Sequence, residues 1–185
     1  MFLVLEGGDG TGKSTLRDVL AQKIGAVSYS TPPARYLADR HRVDKLSSPE
    51  DHYAFYRDGI YDASEEINKF LQEGKSVVCD RYWLTTYTYH RIMGGVQVSA
   101  DDFNSVVQPD LTIILALSHS VQIERMSQRG MSAGDHRMFE KQREIASAFY
   151  KDALELNIPF VVIDTRISKE GCADIVLAAI KAIST

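Results

Sequence analysis

Five short apolar runs punctuate the chain: Met1–Leu5, Ala26–Tyr29, Ser76–Cys79, Leu111–Ala116 and Phe160–Ile163. The last four are rich in β-branched or aromatic residues, and most do not alternate with polar ones. Strands buried on both faces carry this pattern, and such strands belong to parallel sheets. Between the runs the spacing is helical over Ser14–Ile24, Pro49–Glu73, Trp83–Met93, Val121–Gln128, Arg137–Leu156 and Lys169–Ile183. Gly74 follows the long second helix, where a glycine suits the turn past a helix end. Strands that alternate with helices predict an α/β sandwich, a parallel sheet covered on both faces. One stretch resists a regular reading: RGMSAGDH, residues 129–136, has the composition of a mobile loop between two helices.

A chain of 185 residues fits one domain, taken here as residues 1–185 with a lid around 129–137. The net charge of −4 leaves no general basic field, so neither nucleic acid nor a membrane surface is an expected partner. Any anion must be held by a local basic cluster. Cys79 and Cys172 lie far apart and read as buried thiols in a reducing compartment. The apolar start is too short for a signal peptide or a membrane span, and the expected location is the cytoplasm.

The most specific chemistry follows the first run. GGDGTGKS fits the phosphate-loop pattern, with Gly7, Gly12, Lys13 and Ser14 in its fixed places. Backbone N–H groups must wrap a phosphate chain, and side chains at Gly7, Gly8, Asp9, Gly10, Thr11 and Gly12 are mostly absent or small for that reason. A helix opening near Lys13 and running through Ser14 and Thr15 aims its N-terminus at the same anion. Lys13 can reach the β- and γ-phosphates of ATP, and the Ser14 hydroxyl can ligate Mg²⁺. A switch GTPase would also carry Asn-Lys-x-Asp; the single Asn-Lys here reads Asn68-Lys69-Phe70-Leu71, inside a helix. At the end of the third run, Asp80-Arg81-Tyr82 lies where ligands bind in open α/β sheets: an Asp there can hold Mg²⁺, and an Arg can clamp a second phosphate.

EGGDGTGKSTL, DRYWLTTYTYH, and PDLTIIL leading to RMSQRG together resemble the thymidylate kinase family of phosphate-loop nucleoside monophosphate kinases, over nearly the whole chain. The resemblance implies a five-stranded parallel sheet in the order 2-3-1-4-5. It also implies transfer of the ATP γ-phosphoryl group to dTMP with Mg²⁺, and a homodimer. Carried across by residue, it implies that Asp9 meets the acceptor sugar and that Arg35 and Arg81 bind the acceptor phosphate. Phe55 is then the residue that stacks on the base, Thr85 and Thr86 approach it, and Tyr89 crowds the 2′ position. Kinases for another deoxynucleotide or a deoxynucleoside, and a non-catalytic nucleotide-binding module, stay open as alternatives.

Two departures qualify the match. Some relatives carry an arginine inside the phosphate loop, where this chain has Gly10 and Thr11. The missing charge is therefore expected from the lid, with Arg129 and Arg137 foremost among Arg125, His136, Lys141 and Arg143. The family's base-reading arginine falls at Gly59, which leaves Arg57, Tyr87 or His90 to replace it.

Overall fold

The structure is a computed structural model that describes residues 1–130 and 139–183. Five strands, β1 (Phe2–Glu6), β2 (Val27–Ser30), β3 (Val77–Asp80), β4 (Leu111–Ala116) and β5 (Phe160–Asp164), form one parallel sheet in the order β2-β3-β1-β4-β5. The described helices are α1 (Lys13–Ile24), α2 (Leu37–Leu46), α3 (Pro49–Gln72), α4 (Trp83–Met93), α5 (His119–Arg129), α6 (Gln142–Glu155) and α7 (Lys169–Ile183).

The period of two along β1 splits the core. Phe2 and Val4 pack with α3, α4 and α6, while Leu3 and Leu5 pack with α1 and α7. Full burial of each such side chain contributes roughly 1.5–3 kcal/mol, so the two faces hold the sheet from both sides. β1, β3 and β4 are buried almost throughout, as their unbroken apolar runs predict. β2 and β5 are edge strands and less buried; Val162 of β5 is 44% exposed.

Local chemistry marks the boundaries. Ser48 caps α3 by accepting from the Asp51 N–H at 3.0 Å, Pro49 takes the first turn, and Gly74 adopts φ 76° beyond its end. Helix α2 was not anticipated from LADRHRVDKL, because Val43 is its only buried side chain among those described. The Pro109-Asp110-Leu111 segment acts structurally: the Asp110 carboxylate accepts from the Phe2 N–H at 2.6 Å and so sets the start of the central strand. Register then places Leu5 beside Asp80, so the segments leaving β1 and β3 emerge side by side from the carboxyl edge of the sheet.

Candidate active site

The segment after β1 turns directly into α1. Gly12 sits at the helix N-cap with φ 93° and no side chain caps the helix, so the first-turn N–H groups are available to an anion. Thr11 closes the loop internally, donating from Oγ1 to the Gly8 carbonyl at 2.9 Å. Lys13 is 5% exposed and folds back over the loop, donating from Nζ to the carbonyls of Gly7 (3.0 Å) and Gly8 (2.7 Å). Burial, reinforced by Arg81, pulls its ammonium down to about 8, while Asp9, Asp80 and Glu6 oppose the shift. Gly7, Gly8, Asp9, Gly10, Thr11, Gly12, Lys13, Ser14 and Thr15 thus form one continuous cradle and helix start.

Ser14 and Asp80, the two residues expected to hold Mg²⁺, lie within hydrogen-bond distance of each other. The Ser14 hydroxyl donates to Oδ2 of Asp80 at 2.5 Å. Asp80 is 8% exposed, and its Oδ1 is buried without a hydrogen-bond partner among the described residues. A hydroxyl and a carboxylate beside a phosphate cradle are the hard oxygen donors that Mg²⁺ takes alongside water and phosphate. The residues fit the ion.

Asp9, Arg81 and Tyr89, the residues expected to meet the acceptor, converge on one another. Arg81 donates to Oδ1 of Asp9, Tyr89 donates to Oδ2 at 3.0 Å, and the Arg81 guanidinium lies 5.5 Å from the Tyr89 ring centre. Loss of water works against the Arg81 charge, but Asp9, Tyr89 and Asp80 together hold its pKa well above the ordinary value. Arg81 adopts φ 67°, a conformation that costs a non-glycine residue of order 1–3 kcal/mol and is characteristic of ligand-binding positions.

The segment that follows Arg81 is held by Glu6, a residue outside the phosphate-loop pattern. Glu6 is fully buried and accepts from the N–H groups of Tyr82 (3.0 Å) and Thr85 (3.2 Å) and from the Thr85 hydroxyl. It caps α4 from another strand, since Tyr82 at the N-cap offers no side-chain bond. Burial raises its carboxyl to about 7.

The remaining expected residues are placed as follows. Thr85 spends its hydroxyl on Glu6, on the side of the β1 end. Thr86 is buried, and its carbonyl accepts from Nδ1 of His90 at 2.7 Å; Nε2 of His90 faces Nδ1 of His52 at 2.8 Å. Phe55 packs edge-on against Tyr36 (5.1 Å) and Tyr56 (5.3 Å). Arg35 is turned to α3, paired with Asp62 and with Glu66. Gly59 is buried, and a Cβ there would stand 3.1 Å from Cβ of Pro32 and 3.7 Å from the Tyr36 ring. Arg57 pairs with Asp58 and lies over the rings of Tyr53 and Tyr61, while Tyr87 sits beneath Arg91.

Of the cations expected to serve a lid, Arg137 and His136 lie outside the described residues, as does the side chain of Arg129. Lys141 caps α4, donating to the Ile92 carbonyl at 2.5 Å. Arg125 donates to the Thr165 carbonyl at 3.0 Å and lines a cavity of about 300 Å³ beside Gly10, Gly12, Thr15 and Lys169. The cavity opens next to the phosphate cradle and has room for the base and sugar of a donor nucleotide. Thr165, Ile167 and Lys169 of its wall carried no motif.

A phosphate loop, a Ser–Asp pair of hard oxygen donors and an Asp9–Arg81–Tyr89 cluster at the edge of a 2-3-1-4-5 sheet are the parts of a phosphate-loop nucleotide kinase. A solved deoxyadenosine kinase from M. mycoides with bound dATP shares this fold, with a TM-score of 0.77 at 18% identity over 98% of this chain and 100% of that one. The model of the thymidylate kinase family matches residues 5–174, and the chain belongs to that family. Similar relatives include probable thymidylate kinases of Pyrobaculum aerophilum, 30% identical over 94% of this chain and 93% of the relative, and of Archaeoglobus fulgidus, 27% identical over 85% of each. The activity that goes with this membership is phosphotransfer from ATP to dTMP.

Proposed function

We propose that the chain converts dTMP to dTDP through the residues described above. ATP lies with its phosphates in the cradle of residues 7–15 and its base in the cavity beside Arg125. Asp9, Arg81 and Tyr89 take the acceptor. The observation that carries the reading is the position of Asp9: it belongs to the donor loop yet is bonded to both Arg81 and Tyr89. Donor and acceptor sites therefore share a residue, which fixes the distance between the two phosphates.

In this reading Lys13 leaves the carbonyls of Gly7 and Gly8 for the β- and γ-phosphates when ATP binds. Its charge, and that of Arg81, then face the migrating group. Arg81 exchanges Asp9 for the acceptor phosphate, and Oδ1 of Asp9 then accepts from the sugar 3′-hydroxyl. Ser14 and Asp80 would hold Mg²⁺, which when bound would supply positive charge to the donor phosphates. Two free, buried cysteines support a cytoplasmic location, and family membership supports a homodimer.

The test is kcat/KM for dTMP, dUMP, dCMP, dGMP and UMP with ATP and Mg²⁺. The expected order puts dTMP first, with UMP strongly disfavoured. A purine nucleotide or UMP ahead of dTMP overturns the acceptor assignment. No transfer to any of them overturns the monophosphate kinase reading.

A further inference from the structure

The phosphate loop is fastened to the two helices that flank the undescribed segment by a pair of glutamines. Gln122 of α5 and Gln142 of α6 are 2% and 0% exposed, which is unusual for a residue type that prefers the surface. Nε2 of Gln122 donates to the Asp9 carbonyl and, with its second proton, to Oε1 of Gln142 at 2.9 Å. The chain has one direction. The Asp9 carbonyl can only accept, so Gln122 presents its nitrogen there, and Gln142 must present its oxygen to Gln122. Nε2 of Gln142 is left buried without a hydrogen-bond partner among the described residues. A pair serving only the core would not leave such a donor, since apolar residues of the same shape would avoid the penalty.

The loop is shaped around this pair. A Cβ at Gly8 would lie 2.7 Å from Nε2 of Gln122 and 3.3 Å from Oε1 of Gln142. A Cβ at Gly10, where φ is 77°, would lie 2.8 Å from Cγ of Met126 and 3.1 Å from the Gln122 carbonyl. Gly8 and Gly10 thus admit helix α5 on the outside of the loop. In a trans peptide the carbonyl and the following N–H point in opposite directions. Holding the Asp9 carbonyl against α5 therefore turns the Gly10 N–H away from α5.

We propose that Gln122 and Gln142 are positioning residues that orient the Asp9–Gly10 peptide so that the Gly10 N–H is aimed at the donor phosphates. The proposal rests on the reading of residues 7–15 as the donor cradle. Neither glutamine touches the nucleotide. Gln122 acts on the loop, and Gln142 acts by fixing the amide of Gln122.

The test is calorimetric binding of ATP and of inorganic tripolyphosphate to the whole chain, with thermal melting of the same samples without ligand. Wild-type protein that binds neither compound fails the donor-cradle reading itself. If wild type binds, Gln122→Met is expected to weaken both about tenfold and Gln142→Met about threefold. The double variant is expected to be no weaker than Gln122→Met alone, because the residues form one chain. KM for ATP should rise with these losses, and by more than KM for dTMP, since Asp9 also serves the acceptor. Unchanged affinity for both polyphosphates in Gln122→Met, with or without a lower melting temperature, makes the pair plain packing and overturns the proposal. Should Gln122→Met not fold, Gln142→Met decides alone, since it leaves the Gln122 bond to Asp9 in place; unchanged affinity there overturns the chain.

Discussion

Lys13 and Glu6 are both buried charges at the end of β1, and burial moves them in opposite directions. Lys13 is drawn down to about 8, so in the free protein its ammonium is full below that pH and lost above it. A neutral amine offers nothing to a polyphosphate. ATP affinity, measured by calorimetry in steps from pH 7 to pH 10, should therefore hold to about pH 8 and then fall by up to about tenfold per unit. A flat profile to pH 10 would show that Lys13 does not bind the donor charge. Glu6 is raised to about 7 from an unfolded value near 4.5, so the folded state holds its proton more tightly than the unfolded one. Its contribution to stability is present below pH 4.5 and is lost as pH rises through 7, a change on the order of 3 kcal/mol. Glu6→Gln should flatten the pH dependence of unfolding free energy between pH 5 and 8, read from urea melts; an unchanged slope would mean that Glu6 is not its source.

At the scale of elements, polar bolts fix how the helices meet. Asp152 of α6 is 2% exposed and accepts from the Thr88 hydroxyl at 2.7 Å and from Arg91 at 2.6 Å, tying α6 to α4. Removing the carboxylate leaves the buried Thr88 hydroxyl unpaired, so Asp152→Ala should cost about 2–4 kcal/mol in urea unfolding. A loss under 0.5 kcal/mol would mean that the helices do not depend on it. These bolts also show where sequence reading stops. The strands and all helices but α2 were legible, because buried strands and amphipathic helices announce themselves through period and length; the strand order came from the family resemblance. Lys13, Ser14, Asp80 and Arg81 were legible because their chemistry is packed into a few adjacent residues. Glu6, Gln122 and Gln142 were not. A lone Glu or Gln reads as surface, and what makes each buried and useful is a partner 76, 113 or 20 positions away. Arg35 and Thr85 sit in the expected segments, but the carboxylates that hold them, from α3 and from β1, leave no trace in a motif.

Across the whole molecule, the wall proposed here for the acceptor draws on three separate parts of the chain: the 31–36 turn, α3 and α4. Gly59 shows how they depend on one another. The family's base-reading arginine would project from this position, yet Pro32 and Tyr36 already cover it. Tyr36 is itself held by donating to Asp62 at 2.6 Å and by its ring contact with Phe55. An arginine there must displace a ring and a proline, not enter empty space. Gly59→Arg is thus expected to lower the melting temperature by several degrees, as overpacking by about 1–3 kcal/mol does, even though glycine is itself a poor helix former. It should also leave the ratio of kcat/KM for dTMP over dUMP unimproved. That ratio then rests on how the wall fits the 5-methyl group, a hydrophobic selection limited to roughly 10–200-fold. Paired melting curves and acceptor kinetics on wild type and variant decide the point. A Gly59→Arg protein that melts as the wild type does and favours dTMP more strongly would mean that Pro32 and Tyr36 yield to the arginine, and that the wall admits a charge its packing in this structure excludes.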